Sequence, residues 1–204
     1  MRDTKDTINS YITDMLSLEE HLDKAITGQI EDLKDDPQVV AELKTVQRWV
    51  QHHVSDLKQL SEARQATTAT DAIKRAGSGV LGFAAGLIDL VRSEGLAKNL
   101  RDDYAALSLA TIGYVMLNTT ALALDDREVA DLASQHLRDY TKALVGLHSV
   151  IPAAVVRFLQ QEGLPARPDV LSEVYRNVTE AWRGDEAERV HTGEEMTVQG
   201  TQQS

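Results

Sequence analysis

Four segments of this chain repeat apolar side chains at the 3-4 spacing of a helix, and in each of them a polar residue stands inside the repeat. The first segment carries Ile8, Ile12, Met15, Glu19, Leu22 and Ile26. A stripe of this kind puts one face of a helix into a core and little else satisfies it. The second segment carries Val39, Leu43, Val46, Val50, His53, Leu57 and Leu60. A third, over about 99–124, offers Leu107, Ala110, Thr111, Tyr114 and Asn118 on one face, and a fourth, over about 127–150, offers Leu137, Tyr140, Leu144, Leu147 and Ile151. The breaks between them have helix-start chemistry. "KDDP" supplies Asp36 as an N-cap with Pro37 in the first turn, and "LDDRE" supplies Asp125 or Asp126 with Glu128 behind it.

The links are short, long and short again, with the long one spanning about 65–98. Short links make antiparallel neighbours, and one long crossover in the middle is the arrangement of a ferritin-like bundle. The expected fold is therefore all-α: a ferritin-like four-helix bundle with a long crossover between helices 2 and 3. An extra C-terminal helix is expected over about 169–182, striped with Leu171, Val174, Tyr175, Val178 and Trp182. Residues 1–183 read as one domain and 184–204 as a disordered polar tail. Pro152 is expected to bend the fourth helix.

Inside the crossover, "GSGVLG" at 77–82 spells G-x-G-x-x-G, with Asp102 placed 20 residues later. The dinucleotide mechanism needs a strand before the first glycine and a βαβ frame after it, and neither is written here. Gly79, Gly82 and Gly86 suit close packing of another backbone instead. Residues 76–91 contain only Ser78 and Asp89 as polar side chains, and Lys74, Arg75 and Arg92 flank them. As a helix they span ~24 Å, short of the ~30 Å hydrocarbon core, so packing on the bundle or in a dimer contact is expected, with membrane contact through residues 71–95 as an alternative.

Composition excludes several classes. The net charge is −11, which disfavours nucleic acid, because phosphate binding is driven by Lys and Arg. There is no cysteine, which removes disulfides, thiolate metal sites and cysteine nucleophiles together. The N-terminus lacks the apolar core of a signal peptide and no uninterrupted run of 18 apolar residues occurs, so a cytoplasmic protein is expected.

The segments "YITDMLSLEEHLDKAITGQIED", "VQHHVSDLKQL", "AAGLIDLVRSEGLAKNLRDDYAALSLATIGYVMLNTTALALDD" and "VADLASQHLRDYTKAL", in that order over about residues 5–150, resemble the helices of ferritin-like bacterial proteins of the rubrerythrin neighbourhood, most of all the stress-induced group. Metal-bearing members carry one carboxylate on each of two helices and a Glu-x-x-His pair on each of the other two, all facing inward. Matched to that pattern, Glu19 is the right residue on the first stripe. His53 is in place on the second, but Val50 stands where its glutamate belongs. The third helix has Tyr114 inside, with Asp103 a turn too early, and the fourth has Tyr140 and Leu144 where an acid and a histidine are wanted. His136 and Asp139 are three apart but in reverse order, and are expected toward the flank. Two ligands of six survive, Glu19 and His53.

The resemblance thus implies a ferritin-like protein without its di-iron centre and without a cofactor. An interior network of Glu19, His53, Tyr114 and Tyr140 is expected to stand in for the metal and fix helix register. The expected function is a non-catalytic structural or interaction protein, linked to stress by resemblance, with a homo-oligomer or a protein as partner. The alternative is an iron- or manganese-binding, oxidoreductase-type protein with an atypical site. Glu20, His21 and His52 are expected to point outward. Glu188 and His191 form a lone Glu-x-x-His in the tail, and His148 lies near Pro152 at a helix end that favours a cation.

Overall fold

The computed structural model describes residues 3–33, 36–65 and 95–183. The "GSGVLG" stretch, the apolar segment 76–91, the tail and its Glu188–His191 motif lie outside the described residues. Four long helices make the frame: α1 (Thr4–Asp32), α2 (Pro37–Gln65), α3 (Leu96–Ala123) and α4 (Arg127–Gln161). A 3-10 turn, Pro168–Val170, leads into α5 at residues 171–183. No strand occurs among the described residues. The fold class is all-α, a helical bundle.

The starts of α1, α2 and α4 are each capped by an aspartate side chain. Asp3 accepts from Lys5 N at 3.2 Å, Asp36 from Val39 N at 3.3 Å and Asp126 from Val129 N at 3.3 Å, each satisfying a donor that the first turn leaves bare. Pro37 takes the first position of α2, where no amide hydrogen is needed. Gly95 starts α3 at φ 104°, ψ 145°, and the ring of Phe158 lies 3.3 Å from where a Cβ would project, so both backbone and space select glycine there.

Polar contacts at the two ends fix the directions. At one end Arg64 of α2 donates to Asn9 of α1 at 2.7 Å and pairs with Asp126 at the start of α4 at 2.7 Å. At the other, Arg157 of α4 pairs with Asp36 at the start of α2, and Gln29 of α1 donates to Asp103 of α3 at 2.7 Å. α1 is therefore antiparallel to α2 and α3, α2 is antiparallel to α4, and α2 and α3 are parallel. Two parallel helices consecutive in sequence need a connection that returns the length of the bundle.

The core is aliphatic at its ends and polar in the middle. Ile8, Ile12, Leu43, Leu57, Leu107 and Leu117 are all but completely buried. The stripes of α1 and α2 fall where the spacing puts them. The buried face of α4 does so only in part: Tyr140 and Leu147 are inside as expected, joined by Ala133, His136 and Ala143, while Leu137, Leu144 and Ile151 pack half-buried at its edges. Alanine on the inner face lets the helix axis approach, and the bulkier leucines then cover the seams from the sides. On α3, Leu117 takes the inner position and Thr111 and Asn118 are half-buried, Asn118 donating to the Ala130 carbonyl of α4 at 2.8 Å. The fourth helix runs through Pro152 without interruption to Gln161.

Although no uninterrupted run of 18 apolar residues occurs, α3 and α4 each contain an 18-residue window apolar enough by composition to cross a membrane, and only 28% and 17% of those windows is buried inside the structure. On α3 the outward residues Ile112, Val115, Met116 and Leu122 form an apolar stripe of their own.

The chain divides into two compact units, Met1–Phe158 and Leu159–Ser204. In the second, Gln160 donates to the Ala166 carbonyl at 3.0 Å and Gly163 turns the chain at φ 75°.

Candidate polar site inside the bundle

Glu19 lies at the midpoint of the α1 stripe and is completely buried, as are His53, Tyr114 and Tyr140. An ionised carboxylate in such a place must be compensated. Three helices supply the compensation. Tyr114 of α3 donates to Glu19 Oε1 at 2.5 Å, Tyr140 of α4 donates to Glu19 Oε2 at 2.5 Å, and His53 Nδ1 of α2 lies 3.3 Å from Oε1. Bonds this short between hydroxyl and carboxylate are the charge-assisted kind. Burial above all, and then the negative charge of Glu19, push both phenols well above their ordinary range, so both stay protonated as donors.

The fifth member is His136. It is 1% exposed and its ring stacks on that of His53, 3.8 Å between centroids at 22°. Its Nδ1 meets Tyr114 Oη at 3.0 Å and its Nε2 meets Asp56 Oδ2 at 3.1 Å. Burial, and next the neighbouring His53, lower its pKa to about 4, against the smaller opposing pull of Asp56. This is a correction to the sequence reading, which put His136 on the flank. The shift follows from the phase of α4: with Tyr140 and Ala133 inside, a residue four before the first and three after the second is inside too.

A reciprocity emerges. α2 carries His53-Val-Ser-Asp56 and α4 carries His136-Leu-Arg-Asp139, the same H-x-x-D motif on antiparallel helices. Each histidine reaches toward the other helix's aspartate: His136 Nε2 to Asp56 at 3.1 Å, His53 Nε2 to Asp139 Oδ2 at 3.7 Å. The second approach is too long for a hydrogen bond, and His53 Nε2 is buried without one. Asp56 and Asp139 were missed as site residues. The repeated H-x-x-D spacing was the available signal. Outside the core, Glu20 pairs with Lys58 and His52 lies on the surface, 3.3 Å from Asp56.

A second polar spot lies toward the bundle end. Asp103 is 7% exposed and accepts from Gln29. Its Oδ2 and the Oε1 of Gln29 are buried acceptors without a partner. Burial foremost raises the Asp103 carboxyl to about 7; Asp102 adds to the rise and the Gln29 bond opposes it. His148, in turn, is not at a helix end. It stands within the continuous α4, with the Tyr104 ring edge-on at 4.7 Å, and burial lowers its pKa, the opposite of what a cation at a C-terminus would show.

No curated protein matches the chain. Its fold is similar to a crystal structure of a protein from Xanthomonas campestris pv. campestris, with a TM-score of 0.65 and 17% identity over 79% of this chain and all of that one. Agreement at that identity concerns the helical fold alone. The family of proteins defined by a domain of unknown function, DUF892, matches residues 5–160. That match takes in all four long helices and every side chain of the polar cluster, and the chain belongs to the DUF892 family.

Proposed function

We propose that this protein is a ferritin-like bundle whose interior works without metal, and that it acts as a structural and interaction protein, in stress physiology, rather than as an enzyme. The observation that carries the reading is the state of Glu19: both of its oxygens are taken by tyrosine hydroxyls at 2.5 Å. A two-iron site needs several carboxylates to bridge the ions and balance their charge. In the buried cluster Glu19 is the single carboxylate, with Val50 and Ala133 at the positions three before the two histidines. The imidazoles lie face to face, one Nδ1 toward Glu19 and the other toward Tyr114, so their lone pairs do not converge on a common point. Among the described residues no group of three or more His, Asp or Glu is disposed to hold an ion. These donors do not fit a di-metal centre. Protein purified without added metal is expected to contain iron, manganese and zinc at well below one atom per chain. Retention of one or more atoms per chain through gel filtration would overturn the reading and favour the atypical metal site.

The interaction half of the proposal draws on α3. Ile112, Val115 and Met116 are 57%, 41% and 48% exposed, at spacings that place them on one face with Leu122. A second copy of the chain is the proposed cover. Light scattering is expected to give a mass above the 22.5 kDa of one chain, and I112E with M116E to return it to that value. A monomeric wild-type chain would refute self-association.

A further inference from the structure

The hydrogen bonds of the cluster do not stop inside the bundle. From Glu19 Oε1 they pass to Tyr114 Oη at 2.5 Å, from there to His136 Nδ1 at 3.0 Å, and from His136 Nε2 to Asp56 Oδ2 at 3.1 Å. His52 Nε2 then lies 3.3 Å from the same Asp56 oxygen. Exposure rises along the path: none for Glu19 and Tyr114, 1% for His136, then side-chain values of 26% for Asp56 and 56% for His52.

Counting protons limits what this chain of atoms can do. Tyr114 has one hydroxyl hydrogen and two neighbours able to accept it. His136 has one ring hydrogen when neutral, and burial, with the His53 ring stacked 3.8 Å away, lowers its pKa, so neutral is its ordinary form here. Suppose Tyr114 donates to an ionised Glu19. Then Tyr114 Oη must receive from His136 Nδ1, which leaves Nε2 bare, and Asp56 must hold a proton to meet it. Suppose instead that Nε2 donates to an ionised Asp56. Then Nδ1 receives from Tyr114, and Glu19 must hold the proton that Tyr114 Oη accepts. The two arrangements contain the same protons. Three shifts connect them: Asp56 to Nε2, Nδ1 to Tyr114 Oη, and Tyr114 to Glu19. Each bond broken is matched by one formed, and the single negative charge moves the other way.

We infer that Tyr114 and His136 form a proton relay through which the interior Glu19 and the surface-facing Asp56 share one proton. The other groups around the path are His53 on α2, Tyr140 and Asp139 on α4, and Lys142, which pairs with Asp139 at 3.2 Å on the outer side. None of them interrupts the line from Glu19 to Asp56. The inference rests on the metal-free reading in that Glu19 must keep its tyrosine partners, and the two fail differently: metal in the purified protein defeats that reading, whereas the relay is tested on protein already found free of metal.

The experiment is a pH titration of the carboxyl carbons of Glu19 and Asp56 by NMR on the full chain. Groups that share a proton report the midpoints of the pair, not their own. In the wild type both resonances are expected to move with the same midpoints. In Y114F, and separately in H136F, which keeps an aromatic ring against His53, the Glu19 resonance is expected to lose the movement that follows Asp56. Two broken links guard against one variant failing to fold, and the amide spectrum reports folding for each. A Glu19 carbon that stays still while Asp56 titrates in the wild type would overturn the relay. So would common midpoints that survive in both variants, since a field acting through space needs neither side chain.

Discussion

Replacing Glu19 by leucine is expected to destabilise the protein by about 3–5 kcal/mol, the cost typical of removing one partner from a buried charged set. The leucine fits an aliphatic stripe that already holds Met15 and Leu22, so the loss is not one of volume. It comes from the donors left behind. Tyr114 and Tyr140 would keep buried hydroxyls with no carboxylate to meet, and His53 Nδ1 would lose its neighbour. If the cluster acts as a unit, removing the donors as well restores most of the loss. The triple variant E19L, Y114F, Y140F is expected to lie within about 2 kcal/mol of the wild type, because a fully apolar replacement leaves fewer unpaired groups. Urea unfolding of the wild type, E19L and the triple variant decides it. A triple variant weaker than E19L would mean that the tyrosines stabilise the bundle independently of the carboxylate.

Asp103 gives the second large effect, with the opposite sign. In the unfolded chain its proton leaves near pH 3.8, and in the folded protein it is held to about 7. Folding therefore takes up a proton between those values. The contribution to stability is full below pH 3.8, declines as pH rises, and is gone above 7. The difference is on the order of 4 kcal/mol across that window. D103N cannot ionise, and its amide nitrogen in place of Oδ2 brings a donor to a spot where two acceptors now stand bare. At pH 8 the variant is expected to be the more stable protein by up to that amount, with the advantage shrinking to nothing near pH 3.8. Denaturant midpoints of both proteins across pH 4–8 measure it. Parallel curves would mean that Asp103 reaches solvent readily and keeps an ordinary acidity.

The bundle was legible where strong side chains repeat strictly. Ile8 to Ile26 and Val39 to Leu60 set the phase of α1 and α2, so Glu19 and His53 could be placed inside from spacing alone. Starts were legible for the same local reason: Asp36 and Asp126 cap, and Pro37 follows. The fourth helix was legible only in part: Tyr140 and Leu147 are inside as the spacing puts them, but Leu137, Leu144 and Ile151 are not. Its inner face is built of Ala133, His136 and Ala143, weakly hydrophobic letters, while Leu137 and Leu144 stand beside it and dominate any count of apolar residues. Periodicity follows the heavier side chains, but close helix approach favours the lighter ones. That rotation hid His136, and with it both aspartates. The burial of Asp103 was not legible because it depends on Gln29, 74 residues away, which no local pattern contains.

The paired clasps at the ends have a mechanical meaning. The carboxylate that starts α2 is gripped by an arginine of α4, and the one that starts α4 by an arginine of α2. Sliding either rod along the other by one turn would strip both grips at once, at opposite ends of the molecule. The two stacked rings at mid-height therefore inherit their alignment from anchors far from them, much as a plank nailed at both ends cannot shift under a load at its centre.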